Sequence, residues 1–142
     1  MEHKFERQAS FGWLLNVVAN HASKEFDKRL KEKGLTLALW PTLMCLWEKE
    51  GMTQREIAQT SKVESSTTTR TLDKLETLGL VERQADPESR RSFRIFLTAE
   101  GRALKNEVIH LPVEVNQQIL SSLNPDEQKT MIGLLQKMVA QV

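Results

Sequence analysis

The chain has 142 residues, of which 27% are charged and 39% hydrophobic, a composition typical of folded globular proteins rather than disordered chains. Its length accommodates one compact domain, or a small domain joined to helices that are shared with a second subunit. The formal net charge of +1 gives no support of its own to nucleic-acid binding, for which a strongly basic domain is usual.

The sequence gives little support to a membrane span, a metal site or a disulfide bond. No apolar run approaches the roughly 20 residues of a membrane span, and the first residues lack the apolar core of a signal peptide. We therefore expect a cytoplasmic protein with no membrane partner. The single cysteine, Cys45, excludes an internal disulfide, and the three histidines have no metal-ligand spacing, so we predict no metal and no cofactor.

Two amphipathic helices are predicted at the start of the chain. Apolar residues over residues 5–30 recur at the spacing of one helix face, and Gly34 follows a basic last turn that suits a helix end. A second helix is expected over residues 37–50, ending at Gly51. The apolar face of this second helix comprises Trp40, Leu43, Met44 and Trp47.

The next segment predicts two short helices joined by a tight turn. Thr53 and Glu56 have the spacing of a capping box, in which a hydroxyl and a carboxylate satisfy amide groups at a helix start. A short helix follows, residues 60–62 interrupt it, and another helix begins at about Ser65 and ends near Gly79. The expected inward residues of this last helix are Thr68, Leu72, Leu75 and Leu78. The arrangement is that of a helix-turn-helix.

Beyond this point the apolar spacing changes from helical to alternating. Residues 80–83 fit one strand and residues 93–97 fit a second, with turn-forming residues between them at 86–89. We therefore expect a β-hairpin with a charged tip.

Two further helices are expected at the end of the chain. Thr98 is a candidate N-cap for a long helix that ends near Leu123 and is kinked at Pro112, because proline lacks an amide donor. Residues 124–127 combine an N-cap, a proline and an acidic first turn, which predicts the start of a closing helix. The apolar side of that helix comprises Met131, Leu134, Leu135 and Met138.

The hydroxyl-rich start of the helix at Ser65 indicates contact with DNA. Ser and Thr are mediocre helix formers, but on a recognition helix their short side chains let the backbone approach a major groove. The candidate contact residues on this helix are Ser65, Ser66, Thr67, Thr69, Arg70 and Lys74. The alternative is that the hydroxyls cap the helix and that Arg70 and Lys74 form solvated ion pairs with Asp73 or Glu76.

The hairpin favours the DNA interpretation. A basic hairpin directly after a helix-turn-helix matches a wing that inserts arginine into a narrow minor groove. Basic residues concentrate here, namely Arg83, Arg90, Arg91, Arg94 and Arg102. The candidate wing contacts are Asp86, Arg90, Arg91 and Arg94, and Thr53 and Gln54 are candidates for contacts to the DNA backbone. The predicted function is therefore a regulator that binds double-stranded DNA, and the alternative is a protein-interaction module on the same scaffold.

Three runs carry a family resemblance. They are LETLGLVER at residues 75–83, DPESRR at residues 86–91 and IFLTAEG at residues 95–101, and in this order they resemble the multiple-antibiotic-resistance regulator (MarR) family. The resemblance implies a triangular homodimer with two winged heads, a pseudo-palindromic operator, and modulation by small phenolic compounds or oxidants. By matching position, Ser66, Thr67 and Arg70 would make the recognition-helix contacts, and Arg91 would be the minor-groove arginine.

The sequence departs from the family at one position. Many members carry an acidic residue two positions before the wing arginine, where it orients the guanidinium group, and this chain has Ser89 there. Either Asp86 takes over that role through the bend at Pro87, or Arg91 is held more loosely.

Together these elements predict a mainly α fold with a small β-hairpin, a winged helix-turn-helix with N- and C-terminal dimerisation helices. We assign residues 35–98 to the DNA-binding region and residues 1–34 and 99–142 to the dimerisation helices. The apolar stripes of the outer helices exceed what a small central head can cover, which indicates a homodimer, with a monomeric helical bundle as the alternative.

The remaining questions are whether the chain has an effector site and whether it is an enzyme. Trp13, Trp40, Met44 and Trp47 could line a pocket for a small aromatic or phenolic effector, although such residues at helical spacing more often belong to a core, which we prefer here. Cys45 has apolar neighbours in sequence, which favours burial over oxidant sensing. No nucleophile elbow, phosphate-binding glycine loop or carboxylate pair is present, so an enzyme is not expected.

Overall fold

A computed structural model describes residues 3–142 as a mainly helical fold with one small antiparallel sheet, which confirms the predicted class. The helices of these residues are α1 (Phe11–Lys31), α2 (Trp40–Glu48), α3 (Gln54–Ser61), α4 (Ser65–Thr77), α5 (Ala99–Val108), α6 (His110–Leu120) and α7 (Pro125–Val139). The strands are β1 (Met52–Thr53), β2 (Val81–Asp86) and β3 (Ser89–Leu97), in the spatial order β1-β3-β2. Among the helices of residues 3–142, none combines the length and the apolar character that a membrane span requires.

The chain divides into two compact units. The first comprises the described residues up to Phe26 together with Leu111–Val142, and the second comprises Asp27–His110. The second unit therefore contains the whole sheet, helices α2 to α5 and the last turn of α1.

Both early helices begin later than predicted. A single 3-10 turn, Arg7–Ala9, precedes α1, and another, Leu37–Leu39, precedes α2. The end of α1 agrees with the prediction, because Gly34 adopts a left-handed conformation with a φ of 76° and the amide of Leu35 returns to the carbonyl of Leu30 at 3.0 Å.

The predicted long helix with a kink at Pro112 is wrong, because the chain forms two helices, α5 and α6, that are separated at Ile109. A proline ring inside a helix clashes with the carbonyl four residues earlier, and here that residue is Val108, the last of α5. The helical segment is therefore interrupted at Ile109, three residues before the proline, and is not continuous through residues 99–120.

The core of the second unit lies between its helices and one face of the sheet. Its fully buried members include Leu43, Leu46, Ile57, Leu72, Leu75 and Ile95. Strand β1 was not predicted, because its two residues are too few to show alternation, and it pairs Met52 with Ile95 of β3. Leu78, predicted to face inwards, is instead 40% exposed at the C-terminal end of α4.

The start of α5 requires a glycine. Thr98 caps the helix as predicted, accepting a hydrogen bond from the amide of Gly101 at 3.1 Å. A Cβ atom on Gly101 would lie 2.1 Å from the carbonyl oxygen of Leu80. The carbonyl of Gly101 also accepts a hydrogen bond from Nε1 of Trp47 at 2.9 Å, so the indole of α2 holds α5 close.

In the first unit, α7 begins as the sequence predicts. Asn124 accepts a hydrogen bond from the amide of Glu127 at 2.9 Å, and the Glu127 carboxylate accepts the amide of Asn124 in return, which completes a capping box with Pro125 at the first helical position. Many apolar side chains of this unit are exposed, including Phe11, Leu14, Leu15, Val18, Val113, Ile132, Leu134 and Val139.

We expect Gly101→Ala to lower the free energy of unfolding by about 1 to 3 kcal/mol, the usual cost of forcing an atom into a packed site. The opposing atom belongs to the backbone, so no side chain can move away. Gly12→Ala is the control, because its added Cβ meets nothing within 4 Å. Urea unfolding of both variants at one protein concentration measures the difference, and an unchanged midpoint for Gly101→Ala would contradict the close approach.

Candidate nucleic-acid interface

The helix-turn-helix consists of α3 and α4. Oγ1 of Thr53 accepts the amide of Glu56 at 3.2 Å, and the Glu56 carboxylate accepts the amide of Thr53 at 3.4 Å, which confirms the predicted capping box. After α3, Lys62 adopts a left-handed conformation with a φ of 61°, and the chain turns directly into α4. The hydroxyl of Thr53, one of the two candidates for a DNA-backbone contact, is thus engaged in starting α3.

The hydroxyl-rich start of α4 separates into a buried part and an exposed part. Thr68 is fully buried, and its hydroxyl donates to the carbonyl of Glu64 at 3.0 Å. The hydroxyl of Thr69 donates to the carbonyl of Ser65 at 3.0 Å and accepts a hydrogen bond from the side-chain amide of Gln54. Ser65 and Ser66 are exposed, and Thr67 is half-buried. Gln54 and Thr69 therefore join α3 to α4, while the two serines lie on the surface.

The basic residues of α4 are exposed and lie on the surface of the helix. Within residues 3–142, neither Arg70 nor Lys74 forms an ion pair, and Nη2 of Arg70 lies 3.5 Å from the hydroxyl of Thr67. The two acidic residues that the alternative interpretation offered as partners, Asp73 and Glu76, bind another arginine. That alternative pairing is therefore not what the structure has.

Arg83 of β2 joins the wing to α4. Its Nη2 lies 2.7 Å from the carboxylate of Asp73 and its Nη1 lies 2.9 Å from that of Glu76. The two carboxylates are three residues apart and face the same side of α4. One planar guanidinium group thus binds both of them and sets the position of the strand against the helix.

The wing is the hairpin of β2 and β3, with Pro87 and Glu88 at its tip. Asp86 lies near the tip, where its carboxylate accepts hydrogen bonds from the amide of Glu88 at 3.0 Å, from Nε of Arg94 at 3.2 Å and from the hydroxyl of Ser92 at 3.3 Å. The amide of Glu88, followed by the guanidinium of Arg94, holds the pKa of Asp86 below its usual value. The carboxylate is therefore charged at neutral pH.

Arg94 of β3 contacts both segments that flank this strand, β2 and the turn before β1. Besides Asp86, its Nη1 donates to the carbonyl of Gly51 at 2.9 Å, and Gly51 precedes β1. A third contact joins Nη2 to the carboxylate of Glu88 at 3.9 Å. Of the predicted wing contacts, Asp86 and Arg94 therefore hold each other and connect the wing to the turn before β1.

Arg90 and Arg91 differ from Arg94 in being exposed, and neither forms an ion pair within residues 3–142. Ser89 accepts the backbone amide of Arg91 at 3.4 Å and does not hold its guanidinium group. The carboxylate of Asp86 accepts hydrogen bonds from Glu88, Ser92 and Arg94, and not from Arg91. Asp86 therefore does not take over the role expected of an acidic residue at the position of Ser89.

Internal pairing accounts for three of the five arginines in the basic stretch. Arg83 pairs with α4 and Arg94 with Asp86, and Arg102 binds the carboxylate of Glu50 at 2.9 Å. Only Arg90 and Arg91 remain available for a footprint on phosphates, so the expected basic patch is smaller than the sequence indicates.

A groove of about 490 Å³ lies between the wing and the helix-turn-helix. Its lining residues come from the start of α3, the start of α4 and both wing strands, namely Thr53, Gln54, Arg55, Ser65, Arg83, Arg91, Ser92, Phe93 and Ile95. The structure thus brings Arg91 of the wing together with three candidates from the helices. Arg55 and Phe93 also line the groove, and neither was among the contact residues predicted from the sequence. Both are adjacent in sequence to predicted contact residues, and this adjacency is the only sequence feature that points to them.

Two of the candidate effector residues pack against each other in the second unit. The rings of Trp40 and Trp47 meet edge to face with their centroids 5.3 Å apart, and Trp40 is 4% exposed. Met44 of the same helix is exposed. Trp13 belongs to the first unit, where the guanidinium of Arg7 lies 4.4 Å from the centroid of its indole ring.

Cys45 is buried, and burial followed by the charge of Glu48 raises the pKa of its thiol. A thiol of raised pKa carries little thiolate at neutral pH and reacts slowly. Across residues 3–142, no group of three or more His, Cys, Asp or Glu side chains stands close enough together to hold a metal ion.

Comparisons with known proteins agree with this geometry. The model of the MarR family matches residues 35–93. A helix-turn-helix transcriptional repressor of Mycobacterium tuberculosis is 31% identical over 130 residues, which cover 92% of this chain and 94% of that protein. The organic hydroperoxide resistance transcriptional regulator of Bacillus subtilis is 29% identical over 115 residues, which cover 79% of this chain and 78% of that protein.

The fold of this chain is also similar to that of a MarR mutant from Escherichia coli whose crystal structure contains operator DNA. The TM-score is 0.86 at 25% sequence identity, and the match covers 96% of this chain and 99% of that one. This similarity supports the winged helix-turn-helix and DNA binding, and it does not support the protein-interaction module. The chain therefore belongs to the MarR family and is a DNA-binding transcriptional regulator.

Proposed function

We propose that the protein is a cytoplasmic repressor that binds a pseudo-palindromic operator as a homodimer. Each head places α4 in a major groove and the tip of the β2–β3 wing in the neighbouring minor groove. The observation that carries this proposal is the groove between wing and helices, where the unpaired Arg91 lies opposite Gln54 and Ser65. We propose that one strand of the DNA duplex lies between these two sets of polar groups.

The proposed contacts on α4 are the polar side chains that remain exposed. Ser65, Ser66 and Thr67 lie at the N-terminal end, where backbone amides and short hydroxyls suit phosphates and base edges. Arg70 extends from the next turn towards guanine, and Lys74 towards a phosphate. Thr69 contributes indirectly, since its hydrogen bond from Gln54 keeps the start of α3 against α4.

The proposed contacts of the wing are Arg90 and Arg91. A narrow minor groove has a strongly negative potential, and an arginine without an internal partner can enter it without first breaking an ion pair. Asp86 and Arg94 act within the hairpin by fixing the direction of its tip.

Dimerisation through the terminal helices is supported by the exposed apolar side chains of the first unit. Phe11 is 58% exposed and Leu134 is 53% exposed, and a large exposed apolar surface is a common mark of an interaction site. A homodimer would also supply two α4 helices, one for each of two half-sites, which lie about 34 to 36 Å apart on one face of DNA.

Membership of the family supports a further part of the proposal, the release of DNA on binding of a small aromatic or phenolic effector. Of the four candidate residues, Trp40 is buried against Trp47, whereas Trp13 and Met44 are exposed. The two exposed side chains are the ones available to an effector.

Arg70→Ala and Arg91→Ala should weaken operator binding in different ways. Loss of Arg70 should cost about 1 to 3 kcal/mol and relax the preference for one base, because a bidentate contact to guanine is lost. Loss of Arg91 should reduce the slope of log K against log salt by about 0.9, the effect of one phosphate-neutralising charge, with little change in base preference.

Fluorescence anisotropy with operator and single-base variants, at several salt concentrations, separates these outcomes. Lys129→Ala, which removes one charge from α7, is the control and should bind like the wild type. Wild-type affinity in both arginine variants would refute the assignment of the contact residues.

Light scattering coupled to size exclusion should give about twice the chain mass of 16.3 kDa. Leu134→Glu, which places a charge on the exposed apolar face of α7, should shift the protein towards the monomer. A wild-type protein that elutes as a stable monomer at micromolar concentration would contradict the homodimer.

Salicylate, as a model phenolic anion, should weaken the operator complex and change the tryptophan fluorescence of the free protein. Trp13→Phe should reduce the effect of salicylate on DNA binding if that indole contacts the effector. Operator affinity that is indifferent to salicylate and to related aromatic acids would remove this part of the proposal and leave DNA binding intact.

A further inference from the structure

We infer that Phe93 is an additional DNA-contact residue, whose ring packs on the apolar face of the deoxyribose units in the strand held between wing and helices. The inference rests on the proposed binding of duplex DNA. The contact is distinct from those of the arginines, since a phenyl ring has no charge to neutralise a phosphate and no group to donate to a base.

The alternation of β3 places Phe93 in the groove. Residues two apart in a strand face the same side of the sheet, so Phe93 and Ile95 lie on one face, while Arg91 lies beyond the register shift near the tip of the hairpin. All three line the groove opposite Gln54 and Ser65. Ile95 lies at the inner end and is 1% exposed, whereas Phe93 is 52% exposed. The lining of the groove thus includes a buried residue, an open aromatic ring and the wing arginine.

The pairing of the hairpin leaves the ring uncovered. Phe93 stands directly opposite Ala85 of β2, and paired residues in an antiparallel ladder lie on the same face of the sheet. The single methyl group of Ala85 cannot cover a phenyl ring, so the hairpin itself does not satisfy this apolar surface.

Single exposed apolar residues are common on proteins and do not by themselves mark a site. The position of Phe93 distinguishes it, because the ring is continuous with the surface that the DNA strand would occupy. On that path the phosphates meet Arg91 and the polar groups of α3 and α4. The sugar carbons between phosphates are the apolar part of the backbone, and burying them against the ring removes apolar surface of both partners from water.

The inference predicts an effect on affinity that does not depend on charge. Phe93→Ala should weaken operator binding by about three- to tenfold, as expected when part of one ring loses its burial. The slope of log K against log salt should be unchanged, in contrast to Arg91→Ala. Non-specific DNA should lose affinity by a similar factor, because sugars carry no sequence information.

The experiment compares Phe93→Ala, Phe93→Leu and Leu78→Ala in anisotropy titrations at several salt concentrations. Leu78 is the matched control, because it is 40% exposed in the same unit and does not line the groove. Phe93→Leu should retain most of the affinity, and Leu78→Ala should bind like the wild type. Urea unfolding of each variant reports any loss of stability, because a smaller folded fraction would by itself raise the apparent dissociation constant.

A photo-crosslinking residue tests the contact directly. Replacement of Phe93 by p-benzoylphenylalanine should yield a covalent adduct with operator DNA on irradiation, and the same replacement at Leu78 should not. If the wild type binds the operator while Phe93→Ala binds equally tightly and no adduct forms, the inference fails and the proposed function stands. If the wild type binds no genomic promoter fragment at all, both fail.

Discussion

The relation between the recognition helix and the wing depends on Arg83. Its guanidinium reaches from β2 to two carboxylates on α4, at 2.7 and 2.9 Å, a fork that a lysine could not form. Such partly exposed ion pairs contribute little to stability. Their consequence is geometric, because they fix the relative position of the two elements that we propose to enter neighbouring grooves. Arg94 completes the arrangement by fixing the wing to the carbonyl of Gly51.

The same ion pairs explain how a chain with a net charge of +1 can present a basic surface to DNA. Acidic residues near the interface are occupied by arginines with positioning roles, as Asp73 is by Arg83 and Asp86 by Arg94. Arg70 and Arg91, which belong to the proposed contact surface, form no ion pair within residues 3–142. Net charge is therefore a poor guide to DNA binding here, and the partition of charge between internal pairs and open surface is the better one.

Local patterns predicted much of the fold. The capping boxes at Thr53 and Asn124 and the cap at Thr98 depend on residues a few positions apart, and the structure has all three. What the sequence did not predict depends on contacts between distant segments, such as the short strand β1 and the partners of each arginine. Spacing identified Arg94 as a wing residue, but only the fold places Asp86 and the carbonyl of Gly51 around it. Phe93 was overlooked because its exposure follows from the size of the residue across the hairpin.

The central claim is that one head contacts two adjacent grooves at once, and chemical footprinting on the operator tests it most directly. Dimethyl sulfate reports guanine N7 in the major groove, and hydroxyl radicals report the sugars that border the minor groove. The account predicts, in each half-site, protected guanines where α4 binds and a protected minor groove beside them where Arg91 enters, with the second protection lost in Arg91→Ala. Protection of the major groove alone, with the flanking minor groove as reactive as in free DNA, would contradict it.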